Sequence, residues 1–307
     1  MSGTQKQNSR LARLTPRSLS QDTYWRKEKL WFENLADNLA DIRSGLDVQQ
    51  LKKTCGGPCV IVGAGPSVDK FKHLDALKGV SCHVIATDRQ LKPLLERGLV
   101  PEYVLSVDAD PMVATFYDSD LVREYRNKIR AVFNVQVHHS VFEKFLGLKY
   151  WFTVLMDEPL NTEKSISRAI YWMTGGKTMS DSYGNVGGFA WAFADYIGHS
   201  PIILVGIDLS YGEDLQPMQT MFWQGLLEKR GGSVKDTLKL DYRWETNVFG
   251  YRVLTDALFD SYREVLQHGV EVADAVTVNC SPYTVLHGAK VHCMPLDKAL
   301  AKYTLRL

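Results

Sequence analysis

The ten residues Cys59-Val-Ile-Val-Gly-Ala-Gly-Pro-Ser-Val68 restrict the fold more than any other stretch of the chain. An apolar run rich in β-branched residues leads into two glycines, a proline and a serine, and an amphipathic segment follows. That order predicts a strand, a tight turn and the start of a helix. Gly63 and Gly65 let the backbone turn sharply and approach a ligand. Pro66 suits the first helical position, and Ser67 can bond or cap the free N–H groups. With Ala64 between the glycines, such a turn offers hydrogen-bond donors to a phosphate.

The same unit recurs along the chain. Cys82-His-Val-Ile-Ala-Thr-Asp88 is a second apolar run that ends on an acid, Leu91 to Gly98 reads as the helix after it, and Tyr103-Val-Leu-Ser-Val-Asp108 again ends on a carboxylate. Further strands are predicted at 131–136, 150–155, 201–209 and 276–280, and helices at 113–130, 140–146, 185–197 and 255–267. The alternation predicts an α/β, Rossmann-like, doubly wound and mainly parallel sheet with its ligands at the strand C-termini. Around that domain, taken as 55–307, residues 1–20 contain no acid and read as a disordered basic tail. Residues 21–54 form an N-terminal helical extension, with Trp25, Leu30, Trp31, Leu35, Leu39 and Ile42 at helical spacing. Residues 211–250 break the rhythm and are predicted to be an inserted, lid-like segment on the ligand side.

Composition narrows the function. A net charge of +1 over 307 residues gives no general electrostatic case for nucleic acid or an anionic membrane, so binding must come from a local site. No apolar run is long enough to span a bilayer and the N-terminus lacks the apolar core of a secretory signal, so a cytoplasmic protein is expected. The five cysteines are an odd number and read as buried free thiols. Cys55-Gly-Gly-Pro-Cys59 has one residue too many for a redox or zinc pair, and no second pair has zinc spacing, which argues against a metal there.

Several positions could carry chemistry. A dinucleotide fingerprint wants a third glycine where Val68 stands, so the turn argues against an NAD- or FAD-dependent oxidoreductase. Asp108-Ala-Asp110 can hold a divalent cation such as Mg2+, which would neutralise a diphosphate leaving group, and Asp88 can join from the neighbouring strand. Ser182, Asn185 and Gly187, just before and inside a predicted helix, offer a second backbone approach to a ligand or simply close helix–sheet packing. His138, after another strand end, can act as a general base, and Asp208 closes the long apolar run at 201–209.

Taken together, Val60-Ile-Val-Gly-Ala-Gly-Pro-Ser-Val-Asp69, Ile85-Ala-Thr-Asp-Arg-Gln-Leu-Lys-Pro-Leu-Leu-Glu-Arg-Gly98, Val100 to Asp108, and Gly187-Gly188 followed by Ala194 to Tyr211 resemble the MptE-like family. That family joins archaeal 6-hydroxymethylpterin diphosphokinases to bacterial motility-accessory-factor glycosyltransferases. The turn is also distantly similar to that of bacterial sialyltransferases that use CMP-sugars. The resemblance covers roughly 57–280 and leaves the N-terminal helix and the insertion outside. It implies a Rossmann-like transferase in which Gly63, Gly65, Pro66 and Ser67 hold donor phosphates, Asp88 and Asp108 face the donor, and Asp208 lies at the next strand edge. The chain departs from the family patterns at Asp88-Arg-Gln and at Asn279-Cys-Ser-Pro-Tyr-Thr284.

The leading expectation is a transferase using a nucleotide sugar, such as a CMP-nonulosonate, with catalytic Asp88, Asp108 and His138 and a glycan or protein acceptor. Diphosphate transfer from ATP to a pterin with Mg2+ on Asp108 and Asp110 is the alternative, and a non-catalytic nucleotide-binding protein is the third. A homo-oligomer is compatible with each.

Overall fold

The apolar runs become strands because parallel strands covered on both faces need continuous aliphatic sequence. The computed structural model describes residues 16–157, 165–213, 242–288 and 290–306. The tail up to residue 15 and the centre of the predicted insertion, 214–241, lie outside the described residues. In chain order the strands of the main sheet are β1 (Leu46–Asp47), β2 (Cys59–Val62), β3 (His83–Thr87), β4 (Tyr103–Ser106), β5 (Arg130–Asn134), β6 (Leu148–Val154), β7 (Met179–Ser180), β8 (Ile202–Val205), β9 (Thr277–Asn279) and β10 (Val291–Cys293).

These ten strands lie in the order β1-β6-β5-β4-β3-β2-β8-β9-β10, with β7 beside β6, and each pairing is parallel. From β2 the chain steps through β3, β4 and β5 to β6 on one side, then crosses back to β8 and β9 on the other. The boundary between β2 and β8 is therefore the topological switch point, where open α/β sheets form a crevice at the strand C-termini. The register pairs Val62 with Val205, which brings the turns that follow the two strands side by side.

Helices cover both faces. On one, α8 (Val186–Ile197) and α9 (Ala257–Val272) bury Phe189, Phe193, Leu266 and Val270 against Ile61, Ile85 and Leu204. On the other, α2 (Ser67–Lys70), α3 (His73–Ala76) and α10 (Leu296–Tyr303) pack over Val60, Val62 and Val205. The alternation of Val60, Ile61 and Val62 between the two faces is the strand period of two. The helix expected after β2 is split at Lys72, which has a left-handed φ of 52°. The helix expected at 113–130 is a 3-10 turn over Pro111–Phe116 followed by α5 (Asp120–Tyr125), because Ser119 between them is extended.

Two expectations about the extensions change. The N-terminal helix α1 (Pro16–Ser44) begins within the segment read as a tail. The described ends of the predicted insertion form antiparallel structure: Tyr211–Gly212 and Tyr242–Thr246 both pair with Arg252–Asp256. The helix predicted from Thr255 therefore starts only at Ala257, where Asp256 accepts a hydrogen bond from Phe259 N at 2.8 Å.

α1 is built into the sheet's C-terminal edge. The Asn34 amide donates to Ala109 O at 3.0 Å and to Gln136 O at 2.9 Å, and the Asn38 amide donates to Val137 O at 2.8 Å. Leu35 and Ile42 enter the cluster that holds Phe133, Phe145 and Trp151. Both amides are buried and reach carbonyls that no strand partner satisfies. Replacing Asn34 by Ala should cost about 1–3 kcal/mol, since two buried carbonyls lose their donor. Urea unfolding monitored by circular dichroism checks this, and a change within about 0.5 kcal/mol would show that the helix is only loosely applied.

Candidate functional site

The switch point is a contact between two turns. The Gly63 N–H donates to Val205 O at 2.7 Å and the Gly65 N–H to Gly206 O at 2.9 Å, so the loops after β2 and β8 run against each other. There is no room for side chains between them. A Cβ on Gly63 would lie 2.5 Å from Gly206 O and against the Ile207 side chain, and one on Gly65 would lie 2.7 Å from Gly206 O and against the Asp208 carboxylate. Gly206 has φ +70°, and a Cβ there would meet Val68 and, at 2.5 Å, Gly63 O. The glycines expected to admit a ligand thus admit a second protein turn. Val68, which breaks the dinucleotide fingerprint, packs on Gly206.

Asp208 occupies the place a phosphate was expected to take. Its Oδ2 accepts from the Ser67 N–H at 2.9 Å across 141 residues of sequence. The N-cap position of α2 belongs to Pro66 rather than Ser67, and Ser67 makes no capping bond with its own side chain. The carboxylate does that work, as an anion at a helix start. Asp208 is buried, and burial pushes its pKa up to about 6 against the opposing Ser67 hydrogen bond. Its Oδ1 is buried without a hydrogen-bond partner, and the buried Ser67 hydroxyl adds to the Ser67 N–H in favouring the charged carboxylate. The N–H groups of Gly63, Gly65 and Ser67 are thus engaged internally, that of Ser67 becomes free for a phosphate only if Asp208 withdraws, and Ala64 between the glycines is exposed.

The second glycine pair meets the same crevice. Asn185 caps α8, its Oδ1 accepting from Gly187 N at 2.8 Å and Gly188 N at 3.0 Å. A Cβ on Gly187 would sit 2.7 Å from the Ile207 side chain, the same side chain that lies over Gly63. Ile207 is thus the common neighbour of both glycine turns, which favours the packing role for Gly187. Asn185 Nδ2 is buried and has no hydrogen-bond partner. Ser182, half-buried, contributes its carbonyl to the turn by accepting from Asn185 N at 3.2 Å.

The other predicted residues spread along the same edge with different roles. Asp88 does not face an open site. It is buried at the end of β3, with Oδ2 accepting from the Ser106 hydroxyl at 2.9 Å and Oδ1 from Arg89 N at 2.7 Å. Burial raises its pKa to about 6. Asp108 is exposed and pairs with Lys27 of α1 at 2.9 Å, and its Oδ1 also accepts from Asp110 N at 3.2 Å. Asp110 caps the 3-10 turn through Met112 N at 2.9 Å. His138 caps α6 (His139–Lys144), its Nδ1 3.3 Å from Ser140 N and 2.8 Å from the Ser140 hydroxyl. The imidazole expected to act as a base is a local cap.

Further groups to which sequence assigned no role complete the edge. Ser106 Oγ lies 2.8 Å from the Tyr117 hydroxyl, which extends the Asp88 network into the core. Tyr262 of α9 packs over Gly184; burial drives its pKa up to about 12, with Asp256 and Asp108 adding to the shift. Ser281 Oγ accepts from Ile207 N at 3.0 Å while the Thr284 hydroxyl donates to Ile207 O at 3.1 Å. The Asn279–Thr284 segment, flagged for departing from the family pattern, is therefore the clamp that sets the residue before Asp208. Lys27 was within reach of sequence reasoning only as a cation on an amphipathic helix.

A doubly wound, parallel ten-stranded sheet covered by helices on both faces defines a Rossmann-like α/β protein. The chain belongs to the MptE-like family, whose model, described as 6-hydroxymethylpterin diphosphokinase MptE-like, matches residues 33–214. The match begins inside α1, so the strap formed by Asn34 and Asn38 lies within it, whereas the sequence resemblance began only near Gly57. Among solved structures the chain is similar in fold to the MAf glycosyltransferase from Magnetospirillum magneticum AMB-1, with a TM-score of 0.60 and 16% identity. The similarity covers 89% of this chain and 41% of that one, so the chain spans less than half the length of that neighbour. No curated protein sequence matches it.

The raised acids make stability depend on pH. Asp88 and Asp208 titrate near 6 when folded against an ordinary value of 3.8, so the folded chain holds protons that the unfolded chain releases. Their favourable contribution is complete below that ordinary value and is lost as pH rises through about 6. Asp208→Asn keeps an acceptor for Ser67 N but carries no charge. Its stability relative to the native chain should improve by up to about 3 kcal/mol between about pH 4 and about pH 8. Chemical unfolding at the two pH values measures this, and a difference independent of pH would mean that Asp208 is not a buried acid.

Proposed function

We propose that the chain is a cytoplasmic transferase that takes a nucleotide sugar at the β2–β8 switch point. The observation that carries this reading is the pair of buried, unpartnered polar atoms beside the two touching turns, Asn185 Nδ2 and Asp208 Oδ1. Native interiors rarely leave such groups unpaired, and a ligand that supplies their partners explains both. Asp208 holds the Ser67 N–H as a phosphate would, and withdrawal of the carboxylate would hand that donor to the incoming phosphate. The few donors there suit a single phosphate, as in a CMP-nonulosonate.

In glycosyl transfer the acceptor hydroxyl attacks the anomeric carbon, the bond to phosphate breaks, and the nucleotide leaves with the negative charge. The hydroxyl proton must pass to a base. We assign that role to Asp108, the exposed carboxylate of the edge. Lys27 of α1 pairs with it at 2.9 Å. A Mg2+ held by Asp108 and Asp110 would offset charge on the leaving phosphate, and both residues use only Oδ1 in their internal bonds. No helix of the described residues is long and apolar enough to cross a membrane.

The family description supports a second reading, transfer of diphosphate from ATP to 6-hydroxymethylpterin. Calorimetry and product analysis with a panel of nucleotide sugars, and separately with ATP, Mg2+ and the pterin, decide between them. Saturable binding of one nucleotide sugar, weakened roughly tenfold by Asn185→Ala, is the expected result. A pterin diphosphate product without nucleotide-sugar binding would replace this reading by the second, and absence of binding to either set would overturn both.

A further inference from the structure

Cys55, His83 and His199 meet at the opposite, N-terminal edge of the sheet, away from the switch point. Cys55 lies in the loop before β2, His83 opens β3, and His199 follows the left-handed Gly198 that ends α8. Their sulfur and nitrogen atoms all lie within 4.8 Å of one another. His83 Nδ1 is hydrogen-bonded to His199 Nε2 at 3.2 Å, with the two rings crossed at 83°, and an ion would take the place of the shared proton. A tetrahedral zinc ion with Zn–N bonds of about 2.0–2.1 Å sets two imidazole nitrogens about 3.3 Å apart, which is the separation found here.

The surroundings add the support that metal-binding histidines require. His199 Nδ1 lies 3.1 Å from Gly57 O, a group that can only accept, so the proton is on Nδ1 and Nε2 is left as a lone pair. The loop that carries Cys55 is tied to the end of α8 by Cys55 N to Ile197 O at 2.9 Å and Ser200 N to Gly57 O at 3.1 Å. The three ligands are thus held by backbone bonds before any ion arrives. Cys55 and His83 remain partly accessible, which gives an entry path.

We propose that Cys55, His83 and His199 form a zinc site that fastens the starts of β2 and β3 to the end of α8, with a water at the fourth position. A thiolate and two imidazoles are the donor set of a borderline-soft ion. Binding converts the Cys55 thiol to a zinc-bound thiolate and releases one proton to solvent. Cys55 and Cys59 lack zinc spacing as neighbours in sequence, whereas this set uses Cys55 alone and draws its histidines from 28 and 144 residues further on.

The full chain, stripped of metal, is titrated with Co2+ and then with Zn2+. One equivalent of cobalt should give tetrahedral ligand-field bands and a thiolate-to-metal charge-transfer band, and zinc should displace it. Cys55→Ser should abolish the charge-transfer band, and His83→Gln should weaken binding at least roughly tenfold. Cys82→Ser, a nearby thiol outside the set, should leave the spectrum unchanged. Both ligand substitutions are at partly accessible positions, and circular dichroism verifies their fold. An octahedral spectrum without a charge-transfer band in the native chain, or a band that survives Cys55→Ser, would overturn the proposal.

Discussion

The close approach of the Gly63–Ser67 and Gly206–Asp208 turns is the constraint on which the candidate site depends. At a switch point the loops after the two adjacent parallel strands part toward opposite faces, and here both loops first run together across the sheet edge. Glycine at 63, 65 and 206 makes this sterically feasible, and the exchange of backbone hydrogen bonds holds it. The result is a carboxylate delivered to the start of a four-residue helix that has no side-chain cap of its own. Burying that carboxylate is unfavourable, as its upward shift to about 6 records, and one of its oxygens is left unpaired. Elements that oppose stability in this way concentrate where a ligand changes the balance.

The clamp on Ile207 explains why Asp208 stays in place. Ser281 and Thr284 bind both polar backbone groups of Ile207, and the Asn279 amide in turn donates to the Thr284 hydroxyl at 2.8 Å. β9 therefore fixes the loop after β8 from one side while the glycine turn fixes it from the other. The Ser210 hydroxyl bonds to Tyr283 O at 2.5 Å and extends the same bracket. A residue held at its N–H and C=O cannot rotate to release the next side chain. Movement of Asp208 must come from its own χ angles.

Much of the architecture was legible because it follows from local pattern. The strands at 59–62, 83–87, 103–106 and 202–205 coincide with apolar runs, and the alternation of strand and helix fixes a parallel sheet. The site was less legible. Asp88, Asp110 and His138 each stand at a strand end, as catalytic groups do, yet each is engaged in a turn or cap formed within its own neighbourhood. Sequence cannot separate these roles, since an acid at a helix start serves either one. The partner of Ser67 lies 141 residues away, and the resemblance to a phosphate turn concealed that the chain supplies its own anion.

α8 joins the two edges of the molecule. Its first turn carries Asn185, Gly187 and Gly188 at the switch point, and its last residues deliver Gly198 and His199 to the opposite edge. Twelve helical residues span about 18 Å, close to the length of a five-residue strand. The helix is buried along most of that length, with Phe189 stacked on Phe152 at 3.8 Å and Trp191 donating to the Thr277 hydroxyl at 2.9 Å. The helix is set in a close-packed interior, which resists compression. Gly187 has no slack toward Ile207, and a Cβ on Gly198 would lie 2.7 Å from Cys55 O, so both ends are set by contact.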